Sequence, residues 1–92
     1  MAKAIWLNTK DNVVICLEPV KKGDIVIYAS NKKIVAKDDI DIGHKIAIKT
    51  IKKGNYIIKY GEKIGIARQD IEKGSHVHIH NVASIRLKER DL

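Results

Sequence analysis

The run Ser75-His76-Val77-His78-Ile79-His80-Asn81 places an imidazole at every second position. In an extended strand successive side chains point to opposite faces, so His76, His78 and His80 share one face and Val77 and Ile79 the other. With the aliphatic face turned into a core, the imidazoles meet solvent, a ligand or a partner. Neutral imidazole binds iron, manganese or zinc, and it exchanges protons near neutral pH. Three successive same-face residues span about 13–14 Å in a regular strand, so one ion held by all three needs a bend. Two of them together with the remaining histidine, His44, form an easier set. The same run also fits an interface face without chemistry, or a solvated surface.

A second group with chemical potential is His44-Lys45, where a lysine point charge suits a carboxylate and a histidine can act as acid or base. Without further context both also read as residues following a turn glycine. Arg68 can fork onto a carboxylate. It precedes Gln69, and both read as surface positions. Tyr60-Gly61 and Ile64-Gly65 lack the Gly-x-Gly-x-x-Gly spacing of a phosphate cradle and fit a hairpin with a close backbone approach. Asp24, Asp39 and Asp70 fall at turn or strand ends, where aspartate caps backbone. No nucleophile elbow or Ser-His-Asp pattern stands out. Cys16 lies in the apolar run Val13-Val14-Ile15-Cys16-Leu17 and reads as a small buried hydrophobe.

The elements that position these residues follow one repeated unit: aliphatic, two residues, glycine, two residues, aliphatic. It occurs at Val20–Val26, Ile40–Ile46, Ile51–Ile57 and Ile71–Val77, with glycines 20, 11 and 20 residues apart. A long interval repeated around a short one implies two related halves. All four histidines follow a glycine of the unit, so pairing of the halves would bring His44 toward the His76–His80 run. Strands are expected over 13–17, 24–29, 33–36, 45–48, 55–60, 63–67, 76–80 and 82–87. Such short, glycine-punctuated, Ile/Val-rich segments indicate an all-β domain, barrel-like or clip-like. One domain over 1–92 is expected, with its core from about 8 to 87 and a charged tail at 88–92.

The chain has 92 residues, 18 Lys and Arg against 11 Asp and Glu, and a formal net charge of +7. A domain this size buries only roughly 60–65% of its unfolded surface and rarely encloses a ligand pocket alone. That favours a subunit or binding module over a complete enzyme. The positive charge suits an anionic small molecule or an acidic partner. Aromatics are few (Trp6, Tyr28, Tyr56, Tyr60), and no strand resembles a base-stacking platform, so nucleic acid is not expected. With one cysteine there is no internal disulfide. No apolar signal region or membrane span is visible, which makes the cytoplasm the default compartment.

Three segments together, Gly43-His44-Lys45-Ile46-Ala47, Ile58–Ala67 and Gly74–Asn81, resemble the SAF domain of altronate dehydratases over roughly residues 8–83. The resemblance implies a β-clip fold, and a domain found either at the N-terminus of a sugar-acid dehydratase or as a separate small subunit. Related chains belong to galactarate dehydratase and to sulfolactate sulfo-lyase. The implied chemistry is β-elimination from a hydroxy-acid. Altronate would lose water to give 2-dehydro-3-deoxygluconate; sulfolactate would lose sulfite to give pyruvate. The family association also implies a divalent metal, Fe²⁺ or Mn²⁺, and a large partner subunit that holds most of the site. On this reading the catalytic candidates are His44, Lys45, His76 and His78. The substrate-binding candidates are Lys45, Arg68, Gln69, His80 and Asn81. The metal candidates are His76 and His78, with His44 or His80 as third ligand. A sugar-acid or partner-binding module without catalysis is the alternative, and a homodimer pairing its histidine faces is a further one.

Overall fold

The computed structural model describes residues 1–85. Over these residues the chain forms nine strands: β1 (Ala2–Ile5), β2 (Val13–Cys16), β3 (Ile25–Tyr28), β4 (Lys33–Val35), β5 (Lys45–Ala47), β6 (Tyr56–Lys59), β7 (Glu62–Ala67), β8 (His76–Val77) and β9 (Val82–Ala83). Six make one sheet in the order β4-β3-β1-β2-β5-β8, and three make a second in the order β6-β7-β9. The fold is all-β with short, curled sheets, in keeping with a small β-clip. Among the described residues no helix is long and apolar enough to cross a membrane.

The two halves are related by a shift of 31 residues. Val20 and Ile40 exchange backbone hydrogen bonds, and so do their shifted counterparts Ile51 and Ile71. The N–H of Gly23 donates to the carbonyl of Ala36, and that of Gly54 to Ala67. Asp39 accepts from the Lys22 N–H, and Asp70 from the Lys53 N–H. These turns contain glycines with positive φ, such as Gly23 at 92° and Gly54 at 89°, which side chains resist.

The same shift relates two cores. One contains Val14, Cys16, Val20, Val26, Ala36, Ile40 and Ile46. The other contains Val13, Ala47, Ile51, Ile57, Ala67, Ile71 and Val77. Neighbouring residues of β2 and β5 therefore face different cores, as strand alternation requires. One exchange breaks the symmetry. Ile34 fills its own place in the first core, whereas its counterpart is Gly65. A Cβ at Gly65 would lie 2.4 Å from Val82 Cγ1, so β9 supplies the side chain that Gly65 lacks. The close approach expected at Ile64-Gly65 is thus present.

The strand β1 was not among the expected elements, and the expected core began too late. Ala2 and Ala4 are buried, and β1 lies inside the sheet between β3 and β2. Alanine has little β preference and terminal segments often fray, so the alternation in Ala2-Lys3-Ala4-Ile5 is a weak signal. Of the expected strand over 82–87, only Val82–Ala83 is strand; positions 86–87, like the tail at 88–92, lie outside the described residues.

Asp11 and Asn12, both buried, were also missed. Asp11 accepts from the N–H groups of Tyr60 and Gly61 at 2.8 Å each, fixing the two-residue turn between β6 and β7. Tyr60 and Gly61 both have positive φ, as a type I′ hairpin turn requires. Asn12 side-chain Oδ1 accepts from Ile58 N–H and its Nδ2 donates to the Tyr56 carbonyl. An asparagine amide thus imitates a neighbouring strand and closes the outer edge of β6. Asn12→Ala is expected to destabilise by about 1–3 kcal/mol for each buried group left unpaired. Thermal unfolding by circular dichroism checks this, with roughly 4–8 °C expected per kcal/mol.

Candidate active site

β5 pairs antiparallel with β8, setting Lys45 opposite Val77 and Ile46 opposite His76. This pairing of the halves carries His44, one residue before β5, onto the histidine run. His44 Nδ1 lies 2.9 Å from His76 Nε2, a hydrogen bond between two imidazoles. The His44 and His78 rings stack at 4.3 Å between centroids, and His76 and His78 at 5.5 Å. One ring nitrogen from each of His44, His76 and His78 falls within 4.8 Å of the others.

The histidine run is not a five-residue strand. β8 ends at Val77, which is fully buried, while Ile79 is 76% exposed. The alternation expected to bury both aliphatics therefore stops after one of them. Asn81 causes the reversal: its Oδ1 accepts from His78 N–H and its Nδ2 donates to the His76 carbonyl. Its own N–H donates to the His78 carbonyl, closing a tight turn. The turn supplies the bend that a straight strand lacked and folds His78 over His44. His80 remains exposed, its ring tilted 5.1 Å from that of His76.

The other candidates are distributed unevenly. Lys45 and His78 line an open groove of about 260 Å³ together with Ile64, Ile79, Val82, Ala83 and Ser84. Asn81 is buried, with its amide committed to backbone, so it shapes the turn and presents no group to a ligand. Arg68 and Gln69 are exposed and do not line the groove. Arg68 is tied to this region through its N–H, which donates to the Asn81 carbonyl. Sequence reasoning passed over Asp38, whose carboxylate accepts from the His76 N–H at 2.8 Å and anchors β8 to the loop after β4. Its only sequence signal was its place in the acidic step Asp38-Asp39 before a repeat unit. Cys16 is buried, which pushes its thiol up to about 11 and leaves it unreactive.

Electrostatics favour neutral rings. Burial first, then the positive charges that His80, His44 and His78 would carry, holds His76 below the ordinary histidine range, against an opposing pull from Asp38. His78 is lowered by desolvation, then by His44, Lys45 and His80. Burial and Lys59 lower Lys45. Neutral imidazoles present lone pairs to a metal or accept a proton, and Lys45 keeps a cation beside them. Because the folded pKa values of His76 and His78 lie below the unfolded value of about 6.5, the unfolded chain binds more protons as pH falls. Stability is therefore expected to be full above about pH 6.5 and to fall as the pH drops through the folded values. Urea midpoints measured from pH 8 to about pH 5 check this, and the slope should flatten in a His76→Gln/His78→Gln variant.

Comparison with known proteins follows the same residues. The family model described as "Altronate/galactarate dehydratase SAF domain" matches residues 2–85. A curated relative, altronate dehydratase from Bacillus subtilis (strain 168), is 44% identical over 81 residues. That match covers 88% of this chain and 16% of the relative's length.

Proposed function

Because the chain belongs to the altronate/galactarate dehydratase SAF-domain family, we propose that it forms one wall of a hydro-lyase active site completed by a larger chain. The substrate is an anionic sugar acid, altronate in the first instance, and the product is 2-dehydro-3-deoxygluconate. The observation that carries this reading is the convergence of the His44, His76 and His78 nitrogens beside Lys45, at the rim of a groove too shallow to enclose a substrate alone. The match to a small part of a much longer dehydratase supports the larger partner.

Elimination beside a carboxylate needs a base for the α-proton, stabilisation of the developing enediolate, and an acid for the departing hydroxyl. Lys45 holds the carboxylate at the groove and offsets the enediolate charge. Neutral His78, at the same groove, takes the α-proton from carbon 2. The His44–His76 hydrogen bond offers a path by which a proton reaches the hydroxyl leaving carbon 3 as water. The enol left behind takes a proton at carbon 3 and gives up the proton of its carbon-2 hydroxyl, becoming the 2-keto acid.

The donor set also fits a divalent ion of the Fe²⁺ or Mn²⁺ class: three imidazoles with nitrogens within 4.8 Å of one another. His44, His76 and His78 would hold it with the same lone pairs that the proton transfers use, so a bound ion would take the place of those transfers and supply Lewis acidity to a substrate oxygen. The test combines this chain with the large part of an altronate dehydratase from which the SAF domain has been removed, adds Fe²⁺, and follows loss of altronate. Turnover that requires both chains is expected. Absence of turnover with altronate, galactarate and sulfolactate alike would overturn the reading.

A further inference from the structure

The 31-residue symmetry leaves most of one edge uncovered: Gly74 closes it at the Val35 carbonyl and the Lys37 N–H, while Lys33 and the Val35 N–H stay open. In the second half, Ile66 and Ala67 of β7 pair with Ala83 and Val82 of β9, and the Arg68 N–H donates to the Asn81 carbonyl. Shifted back, these positions are Val35, Ala36 and Lys37. Lys37 N–H does find an equivalent partner, the Gly74 carbonyl. Among the described residues, however, no strand lies beside β4, which ends the six-stranded sheet.

The backbone of that edge faces outward. Ala36 N–H donates to Asp24 and Tyr28 N–H to Lys32, so the even-numbered residues of β4 bond to β3. Antiparallel alternation then turns the N–H groups of Lys33 and Val35 away from the sheet. Beside them is an open groove of about 460 Å³ lined by Ile25, Lys33, Ile34, Val35, Lys37 and Lys73. Val35 is 58% exposed, and Ile25 is exposed as well. Lys37 is paired with Glu72; Lys33 and Lys73 form no ion pair among the described residues.

We propose that the β4 edge is a docking site for an extended, acidic segment of a partner chain, added antiparallel as β9 is added to β7. Alternate apolar side chains of that segment fill the Ile25–Ile34–Val35 floor, and its carboxylates meet Lys33 and Lys73. This is strand addition, with main-chain bonds giving affinity and side-chain alternation giving specificity. A second copy of this chain is a poor occupant: antiparallel pairing of two β4 edges would bring Lys33 and Lys37 of each copy against the same lysines of the other, and like charges across strands repel. The segment's source, a larger dehydratase chain, rests on the function proposed above; the chemistry of the edge does not.

The test titrates the intact protein with an acetylated peptide of alternating valine and glutamate, followed by amide chemical shifts. Shifts concentrated at Ile25, Lys33–Lys37 and Lys73 are expected, and a valine–lysine peptide should bind at least roughly tenfold more weakly. Val35→Pro removes the outward N–H without cutting the ladder to β3, and it should abolish binding. Should that variant fail to fold, Lys33→Glu/Lys73→Glu is expected to weaken binding by a similar factor, and a peptide N-methylated at alternate residues should not bind. Shifts located elsewhere, equal binding of the two peptides, dimerisation through β4, or indifference to these variants would overturn the proposal. Loss of dehydratase turnover with peptide binding intact would count against the enzymatic reading alone.

Discussion

His78→Ala is expected to lower altronate turnover by the reconstituted pair of chains about 10²–10⁴-fold, the usual loss when a general acid or base is removed. Formation of the two-chain complex should survive, because His78 is in a surface turn anchored by Asn81 and does not fill either core. Its ring stacks on His44 and lines the groove with Lys45, so it meets whatever occupies that groove. The expected signature is a drop in kcat with a small change in KM. A weaker KM at unchanged kcat would instead identify a binding module whose histidines only contact the ligand. Size-exclusion chromatography of the mixed chains separates both outcomes from simple failure to assemble.

The second large effect is structural. Gly43 and Gly74 are counterparts under the 31-residue shift, with φ of 84° and 92°. A Cβ at Gly43 would meet nothing within 4 Å, whereas at Gly74 it would lie 2.4 Å from the Val35 carbonyl oxygen. Gly43→Ala is therefore expected to cost about 1–2 kcal/mol of backbone strain alone. Gly74→Ala adds a collision with main chain that cannot swing aside, for another ~1–3 kcal/mol. Thermal unfolding of the two variants side by side checks this. Gly74→Ala should melt lower by at least roughly 5–10 °C; equal melting would mean that the approach of Gly74 to β4 contributes little. Since Gly74 introduces β8, the variant should also disturb the histidine cluster.

Much of this architecture was legible in the residues. The glycine spacing announced two related halves, and their pairing brings His44 to His76. The four-times-repeated unit was legible because each glycine lies inside a turn closed by a local bond, as from Asp24 N–H to the Lys21 carbonyl, even though the glycine's own N–H reaches a distant carbonyl. The bend at His78 was illegible because alternation of aliphatic and polar residues describes a strand only while its backbone bonds continue. Here Asn81 takes those bonds, and an asparagine at the end of a run looks like any turn residue. Asp11 and Asn12 were hidden for a related reason: they satisfy backbone 44–50 positions away in sequence, a relation no local pattern records. β1 was hidden by its alanines. Of the expected ligand contacts, Arg68 and Gln69 lie exposed, away from the groove that Lys45 and His78 line.

The sharing of β2 and β5 between two cores has a consequence for how the molecule comes apart. Val13 and Val14 are adjacent in one strand, yet each belongs to a different core, and the same holds for Ile46 and Ala47. Neither half can release its interior without stripping a face from the strands that support the other. Melting is expected to be a single cooperative event, with one calorimetric transition and amides in both halves exchanging through the same global opening. Damage to the lysine-fringed edge and damage to the imidazole cluster would then draw on one common reserve of stability, although the two surfaces share no side chain.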